Sequence, residues 1–188
     1  ANAKPPERRD EPMKPLADDR NITLIGMPGV GKSTIGVLLA KETRRQFVDT
    51  DVLIQARHGR TLQDILDADG LDAFRQIEEQ AVQELDLHAH VIATGGSVVY
   101  YDAAMEHLSA SGPVVYLELA LELLERRIEN LSTRGVVRPP GVSLADLYAE
   151  RLPLYRRWAD VTVDCWGKTQ DGVVAEILTK LGWRVESA

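Results

Sequence analysis

The run Gly26-Met27-Pro28-Gly29-Val30-Gly31-Lys32-Ser33-Thr34 has residue types and a spacing that can hold a triphosphate. It fits the phosphate-loop pattern G-x-x-x-x-G-K-[ST]. The glycines let successive backbone N–H groups turn inward around a phosphate, and a following helix N-terminus adds its positive end. The segment from Gly29 through Val30, Gly31, Lys32 and Ser33 to Thr34 is therefore expected to bind the nucleotide. Lys32 would reach the β- and γ-phosphates, and the Ser33 hydroxyl would ligate the metal. The cofactors implied are ATP and Mg2+. A second feature is Asp49-Thr50-Asp51. Two carboxylates beside a triphosphate can divide the work, one holding the Mg2+ shell and one accepting a proton from the attacking hydroxyl. Side chains alternate along an extended segment, so Asp49 and Asp51 are expected to point the same way.

These groups need elements to hold them. An apolar β-branched run over 22–25 precedes the loop, and Ile35, Val37, Leu38 and Leu39 follow it with a helical apolar face. Further strands are expected over 47–50, 91–93, 113–117 and 160–163. Helices are expected over 71–87, where Phe74, Ile77, Ala81, Val82 and Leu85 share a side, and over 119–131 and 171–181. Alternating strands and helices predict an α/β fold, a doubly wound five-stranded parallel sheet with helices on both faces. Ligands then sit at the carboxyl ends of the strands, where Asp49 and Asp51 fall. The stretch 131–141 holds Ser132, Thr133, Gly135 and two prolines, which cannot pack a core, and is expected to be a mobile lid.

Bulk composition narrows the class. The chain of 188 residues is 44% hydrophobic, with no run long enough for a membrane span. Residues 1–20 are polar and proline-rich and are expected to form a disordered leader before a single domain over 21–188. A net charge of −7 argues against a nucleic-acid surface. Cys165 alone can make no internal disulfide and reads as an inert strand residue, and the histidines lack ligand spacing. A guanine-reading N-K-x-D does not occur, which excludes a GTPase switch. The reading is a cytoplasmic monomer, with neither nucleic acid nor membrane as partner.

The phosphate loop followed by Phe47-Val48-Asp49-Thr50-Asp51, Ala73-Phe74-Arg75-Gln76-Ile77-Glu78 and Thr94-Gly95-Gly96 resembles the shikimate kinase family. The likeness continues through Arg138-Pro139 and Arg151-Leu152-Pro153-Leu154-Tyr155, and spans about 21–182 in unchanged order. The resemblance implies a P-loop kinase that phosphorylates shikimate to shikimate 3-phosphate. It implies that Asp49 supports Mg2+ through water, and that Asp51 binds substrate hydroxyls and deprotonates the attacking one. Arg75 and Arg151 would grip the substrate carboxylate, with Glu78 holding Arg75 in place. Gly95 and Gly96 would let the backbone approach the substrate. Arg138 would act from the lid over the phosphates, and Lys168 would stack near adenine.

Elementary chemistry agrees in part. The guanidinium fork matches a carboxylate bidentately, so two such arginines suggest an acid. Read alone, Arg75 is equally an i, i+3 partner of Glu78, Gly95-Gly96 a tight turn, and Arg126 and Arg127 either nucleotide contacts or solvated helix charge. The chain departs from the family pattern at Ser97, where a third glycine is usual, and around Arg138-Pro139-Pro140-Gly141, where two leucines usually follow. Residues 138–151 are also shorter than usual, and 128–131 look inserted. Ser97 would then either hydrogen-bond or avoid the substrate, or fill space that a ring would need. A different small hydroxy acid, such as homoserine, is the alternative acceptor, and a nucleotide-binding module without turnover is the alternative to an enzyme.

Overall fold

The computed structural model describes residues 19–130 and 141–183. Five parallel strands form one sheet: β1 (Ile22–Ile25), β2 (Gln46–Asp49), β3 (His90–Ala93), β4 (Val114–Glu118) and β5 (Val161–Asp164), in the order β2-β3-β1-β4-β5. The register sets Thr23 opposite Ile92 on one side and Val114 on the other. Every residue of β1 is buried, as expected of a central strand covered on both faces.

Helix α1 (Lys32–Glu42) returns the chain from β1 to the far edge at β2. Three helices, α2 (Thr50–His58), α3 (Leu62–Asp69) and α4 (Leu71–Gln83), lead back to β3. A short 3-10 turn, Val98–Tyr100, and α5 (Asp102–Ser111) lead on to β4, and α6 (Leu121–Asn130) and α7 (Leu144–Trp158) to β5. Helix α8 (Gln170–Lys180) closes the fold against α1. Right-handed crossovers reverse direction at β2, so α1 and α8 cover one face and the other helices the opposite one. The doubly wound fold read from the sequence is the one formed.

Several expected boundaries move. The strand predicted over 47–50 ends at Asp49, because the Asp49 carboxylate accepts the N–H groups of Asp51 and Val52 and starts α2. The helix predicted over 71–87 stops at Gln83, and the Leu87 carbonyl is instead taken by the Asn21 side chain at 2.6 Å. The helix predicted over 119–131 runs from Leu121 to Asn130. Helices α2, α3, α5 and α7 had no counterpart in the sequence reading. Residues 1–18 of the expected leader lie outside the described residues. Asp19 and Arg20 are tied in: their carbonyls accept from the Ala89 N–H and from Arg45. Most of the expected lid, 131–140, also lies outside.

Two apolar cores hold this frame. The larger spans the sheet and its covering helices, including Leu24, Ile25, Met105, Tyr116, Tyr155 and Ile177. A smaller one joins α2, α3 and α4 through Ile54, Leu62, Ile65, Leu66, Phe74 and Ala81. It fixes the inward face of α4, the face that carries Glu78.

Candidate active site

The loop leaves the carboxyl end of β1 and enters α1 through Gly31, whose φ of +108° disfavours any residue with a Cβ. No side chain caps the start of α1 and no acid lies in its first turn, so its N–H groups remain open to an anion. The Lys32 ammonium is buried and donates to the carbonyls of Gly26 at 2.7 Å and Met27 at 3.0 Å. Burial lowers its pKa to about 8, against the pull of Asp51 and Asp49. The loop's outer side is braced by Arg127, which donates to the Val30 carbonyl at 3.0 Å.

Asp49 and Asp51 do not project from one extended segment. Asp51 stands in the first turn of α2, and Asp49 is the cap before it. Capping separates their tasks. One Asp49 oxygen takes the Asp51 N–H at 3.0 Å, and the other accepts from the Ser33 hydroxyl at 2.6 Å. Ser33 and Asp49 thus present adjacent hard oxygen donors at the edge of the phosphate loop, the donor chemistry that Mg2+ prefers. Among the described residues no group of three or more His, Cys, Asp or Glu could hold a metal. Burial, and repulsion from Asp49, raise the Asp51 carboxyl to about 6, while Lys32 pulls it down.

The turn after β3 is close-packed against functional groups. A Cβ on Gly95 would lie 2.7 Å from an Asp51 oxygen and 3.1 Å from a Glu78 oxygen. One on Gly96 would lie 2.9 Å from the Arg151 guanidinium and from Pro28 of the loop. A side chain at either position would push these groups from where they stand. Arg151 is buried on α7, donates to the Tyr100 hydroxyl at 3.1 Å and lies over the Tyr100 ring. Four residues on, along the same face, the Tyr155 hydroxyl donates to the Gly96 carbonyl at 2.6 Å.

Lys32, Ser33, Asp49, Asp51, Gly95, Gly96 and Arg151 are therefore brought together at the carboxyl ends of β1, β2 and β3. Arg75 is placed differently from the expectation. Glu78 does not hold it; the two form no ion pair, and Arg75 is exposed on α4. Glu78 is instead bound by the hydroxyls of Ser97 and Tyr101. Ser97 thus points at Glu78, and its hydroxyl is engaged by that side chain. Arg138 lies outside the described residues. Tyr100 and Tyr101 were missed by sequence reasoning, and Tyr155 was read only as part of the resemblance, without a role; the run Val98-Val99-Tyr100-Tyr101 reads as apolar packing until the 3-10 turn aims its hydroxyls.

A cavity of about 320 Å3 opens beside the loop, lined by Leu119, Leu123, Arg126, Arg127, Trp166 and Lys168, among others. It sits at the carboxyl ends of β4 and β5. Lys168 lines it but is bonded to the Asp164 carbonyl and paired with Glu176, so its ammonium is already partnered. Trp166 is 62% exposed there, a large apolar ring in solvent that sequence reasoning passed over. Cys165 also borders the cavity, just past the end of β5 and not within it; the thiol is buried, and burial pushes it up to about 11.

Comparison with known proteins follows this geometry. Residues 28–182 match the family model described as shikimate kinase. The chain is 41% identical over 165 residues to a shikimate kinase of Pseudomonas entomophila, covering 86% of this chain and 96% of that one. It is 39% identical over 164 residues to the enzyme of Thiobacillus denitrificans, covering 86% and 90%. Among solved structures it is similar to the Acinetobacter baumannii shikimate kinase in complex with shikimate, with a TM-score of 0.79 at 33% identity over 85% of this chain and 91% of that one. The Aquifex aeolicus shikimate kinase gives a TM-score of 0.72 at 30% identity, over 86% and 96%. Sequence, fold and the placement of the phosphate loop agree, and the chain belongs to the shikimate kinase family.

Proposed function

We propose that this protein transfers the γ-phosphoryl group of ATP to a hydroxyl of shikimate, giving shikimate 3-phosphate. The observation that carries this reading is the Gly95-Gly96 turn. Its two bare glycines press against a carboxylate, Asp51, and a guanidinium, Arg151, within reach of the phosphate loop. A molecule with both a hydroxyl and an acid can present one to Asp51 and the other to Arg151. Lys32 and the open N-terminus of α1 hold the phosphates; the Ser33 hydroxyl would ligate Mg2+, with Asp49 supporting it through water. When bound, Mg2+ neutralises charge on the transferring phosphoryl group. Asp51 orients the acceptor hydroxyl and takes its proton. Arg75 and Arg151 receive the acid, and the cavity beneath Trp166, Arg126 and Arg127 takes the base. Arg138 completes the phosphate site in this reading.

The direct test is ADP release from ATP and Mg2+ with shikimate, compared with homoserine and with no acceptor. Turnover dependent on shikimate supports the reading; turnover of homoserine alone, or ATP hydrolysis indifferent to either, defeats it.

Two further outcomes follow. Arg151→Lys and Arg75→Lys keep the charge but lose the bidentate fork, and each is expected to raise the acceptor KM about tenfold or more, with little change in the ATP KM. Unchanged acceptor KM in both variants means that the acid is held elsewhere. Trp166→Ala is expected to raise the ATP KM about tenfold, the scale of one lost base–aromatic stack, and leave the acceptor KM within about twofold. Quenching of tryptophan fluorescence by ATP, absent from that variant, checks the same contact.

A further inference from the structure

Tyr155 is fully buried on α7 and meets three separate segments at once. Its hydroxyl donates to the Gly96 carbonyl at 2.6 Å and stands 3.8 Å from Met27 Sδ. A phenol carries one proton and the carbonyl takes it, so the sulfur is a packing contact. The ring lies on that of Tyr116 in β4, with centroids 5.1 Å apart and planes 14° from parallel. Tyr116 is itself set in the middle of the sheet, opposite Ile25 of β1. Burial raises the Tyr155 hydroxyl well above its usual range, so it keeps its proton and stays a donor.

The two contacts of that hydroxyl belong to different halves of the reaction. Met27 lies in the phosphate loop, and its carbonyl accepts from the Lys32 ammonium at 3.0 Å. Gly96 lies in the turn after β3, and a Cβ on it would stand 2.9 Å from Pro28, the next residue of the loop. The pairing of β1 with β3 runs only to Leu24 and Ala93, after which Thr94 reaches back to the Leu24 carbonyl. Beyond that point, among the described residues, no hydrogen bond joins loop and turn directly.

We infer that Tyr155 is a positioning residue for phosphoryl transfer: its hydroxyl fixes the distance between the acceptor turn at Gly96 and the phosphate loop at Met27. This rests on the reading above that the acceptor lies against the Gly95-Gly96 turn. A pair of glycines has no side chain with which to brace itself, so its place must come from its neighbours. Tyr155 supplies that brace from a ring that cannot shift without disturbing the sheet behind it. The precision matters because phosphoryl transfer asks little of the protein beyond placing the two reactants in line. A misplacement of about 1 Å can cost a hundredfold in rate. Loss of the hydroxyl leaves the Gly96 carbonyl without its donor and the turn free to drift from the loop. The substrates keep their own contacts in that case: the phosphates with Lys32 and α1, the acceptor with Asp51 and Arg151. The cost therefore falls on the transfer step and not on binding.

The test uses the full chain with ATP, Mg2+ and shikimate, and reads the single-turnover rate of transfer by rapid quench, so that product release does not mask the chemical step. Calorimetry gives the Kd of shikimate and of ATP, and melting curves confirm that each variant is folded at the assay temperature. Tyr155→Phe keeps the stacked ring and removes only the hydroxyl. It is expected to slow transfer about tenfold or more, with both Kd values within about threefold of the unmodified protein. Tyr116→Phe makes the same deletion on the neighbouring ring, whose hydroxyl does not touch the turn, and should leave the rate within about twofold. Tyr116→Leu keeps the Tyr155 hydroxyl but removes the ring it rests on, and should slow transfer in the same direction as Tyr155→Phe. An unchanged transfer rate in Tyr155→Phe overturns the inference. So does an equal loss in Tyr116→Phe, or a loss that appears as weaker binding of either substrate with the rate intact. If the unmodified protein does not phosphorylate shikimate, the reading above fails and takes this inference with it. Shikimate turnover in the unmodified protein that Tyr155→Phe leaves unslowed defeats the inference alone.

Discussion

Lys32→Ala is expected to lower kcat about a thousandfold, because a buried charge aimed at the transferring phosphoryl group stabilises the transition state more than the ground state. The ammonium is already desolvated, so the enzyme meets little reorganisation cost when the phosphate arrives. The same burial gives a pH signature. In the free protein Lys32 titrates near 8, well below its usual range. kcat/KM for ATP, which reports free-enzyme groups, should therefore fall above pH 8, whereas kcat, measured with phosphates in place, should hold to higher pH. Stability separates this from misfolding. Between about pH 8 and the unfolded value of 10.5, the unfolded chain binds more protons than the folded one, so this group's contribution improves as pH rises through that window. At pH 7 the buried charge therefore opposes folding, and Lys32→Ala should melt no lower than the unmodified protein. A loss of activity smaller than about tenfold would mean that the phosphate site has been misassigned.

Asp51→Asn keeps the shape of the side chain and removes its basicity. The expected loss in kcat is about a hundredfold to ten-thousandfold, the range spanned by positioned general bases. In the unmodified protein Asp51 titrates near 6, raised by burial and by Asp49. A base must be unprotonated, so kcat/KM for the acceptor should fall about tenfold for each pH unit below 6. Glu78, raised mainly by burial to about 7, titrates close by and is coupled to Asp51. The Asn variant tells them apart, because the steep acid limb should disappear with Asp51 and a shallower dependence near 7 should persist. The stability sign is opposite to that of an ordinary salt-bridged acid. Between 3.8 and about 6 the folded form binds the extra proton, so its contribution falls as pH rises through that window, and Asp51→Asn should melt higher than the unmodified protein at pH 8. A flat kcat/KM profile from pH 5 to 7 in the unmodified protein would remove Asp51 from the role of base.

How much of this was legible in the chain depends on how local the cause is. The phosphate loop was readable because its chemistry is main-chain chemistry. Glycines at fixed offsets, then lysine and serine at the start of a helix, place N–H groups and two side chains with no help from distant residues. The strands were readable for a related reason. A central parallel strand is buried on both faces and so appears as an unbroken apolar run, as in β1. Helices α2, α3, α5 and α7 were not, since each is short or interrupted and takes its stability from tertiary packing rather than from its own periodicity. Strand alternation placed Asp49 and Asp51 on one side, and the cap that Asp49 forms over α2 decided otherwise.

The acceptor site marks the boundary more sharply. The sequence determined which side chains were available: two acids, two arginines, two glycines and a serine. It could not determine their pairing. By helix spacing Glu78 belongs with Arg75, and a sequence offers no other reason to prefer a partner. In the folded chain the turn after β3 brings Ser97 and Tyr101, 19 and 23 residues further on, against that carboxylate, and their hydroxyls take it. The bareness of Gly95 and Gly96 has the same origin. Nothing nearby in the chain forbids a side chain there; Asp51, Glu78, Pro28 and Arg151 do, and they arrive from four separate segments. Backbone chemistry is written locally and so can be read from the sequence, whereas the partner of a buried charge is chosen by whichever distant groups the packing brings within hydrogen-bond reach.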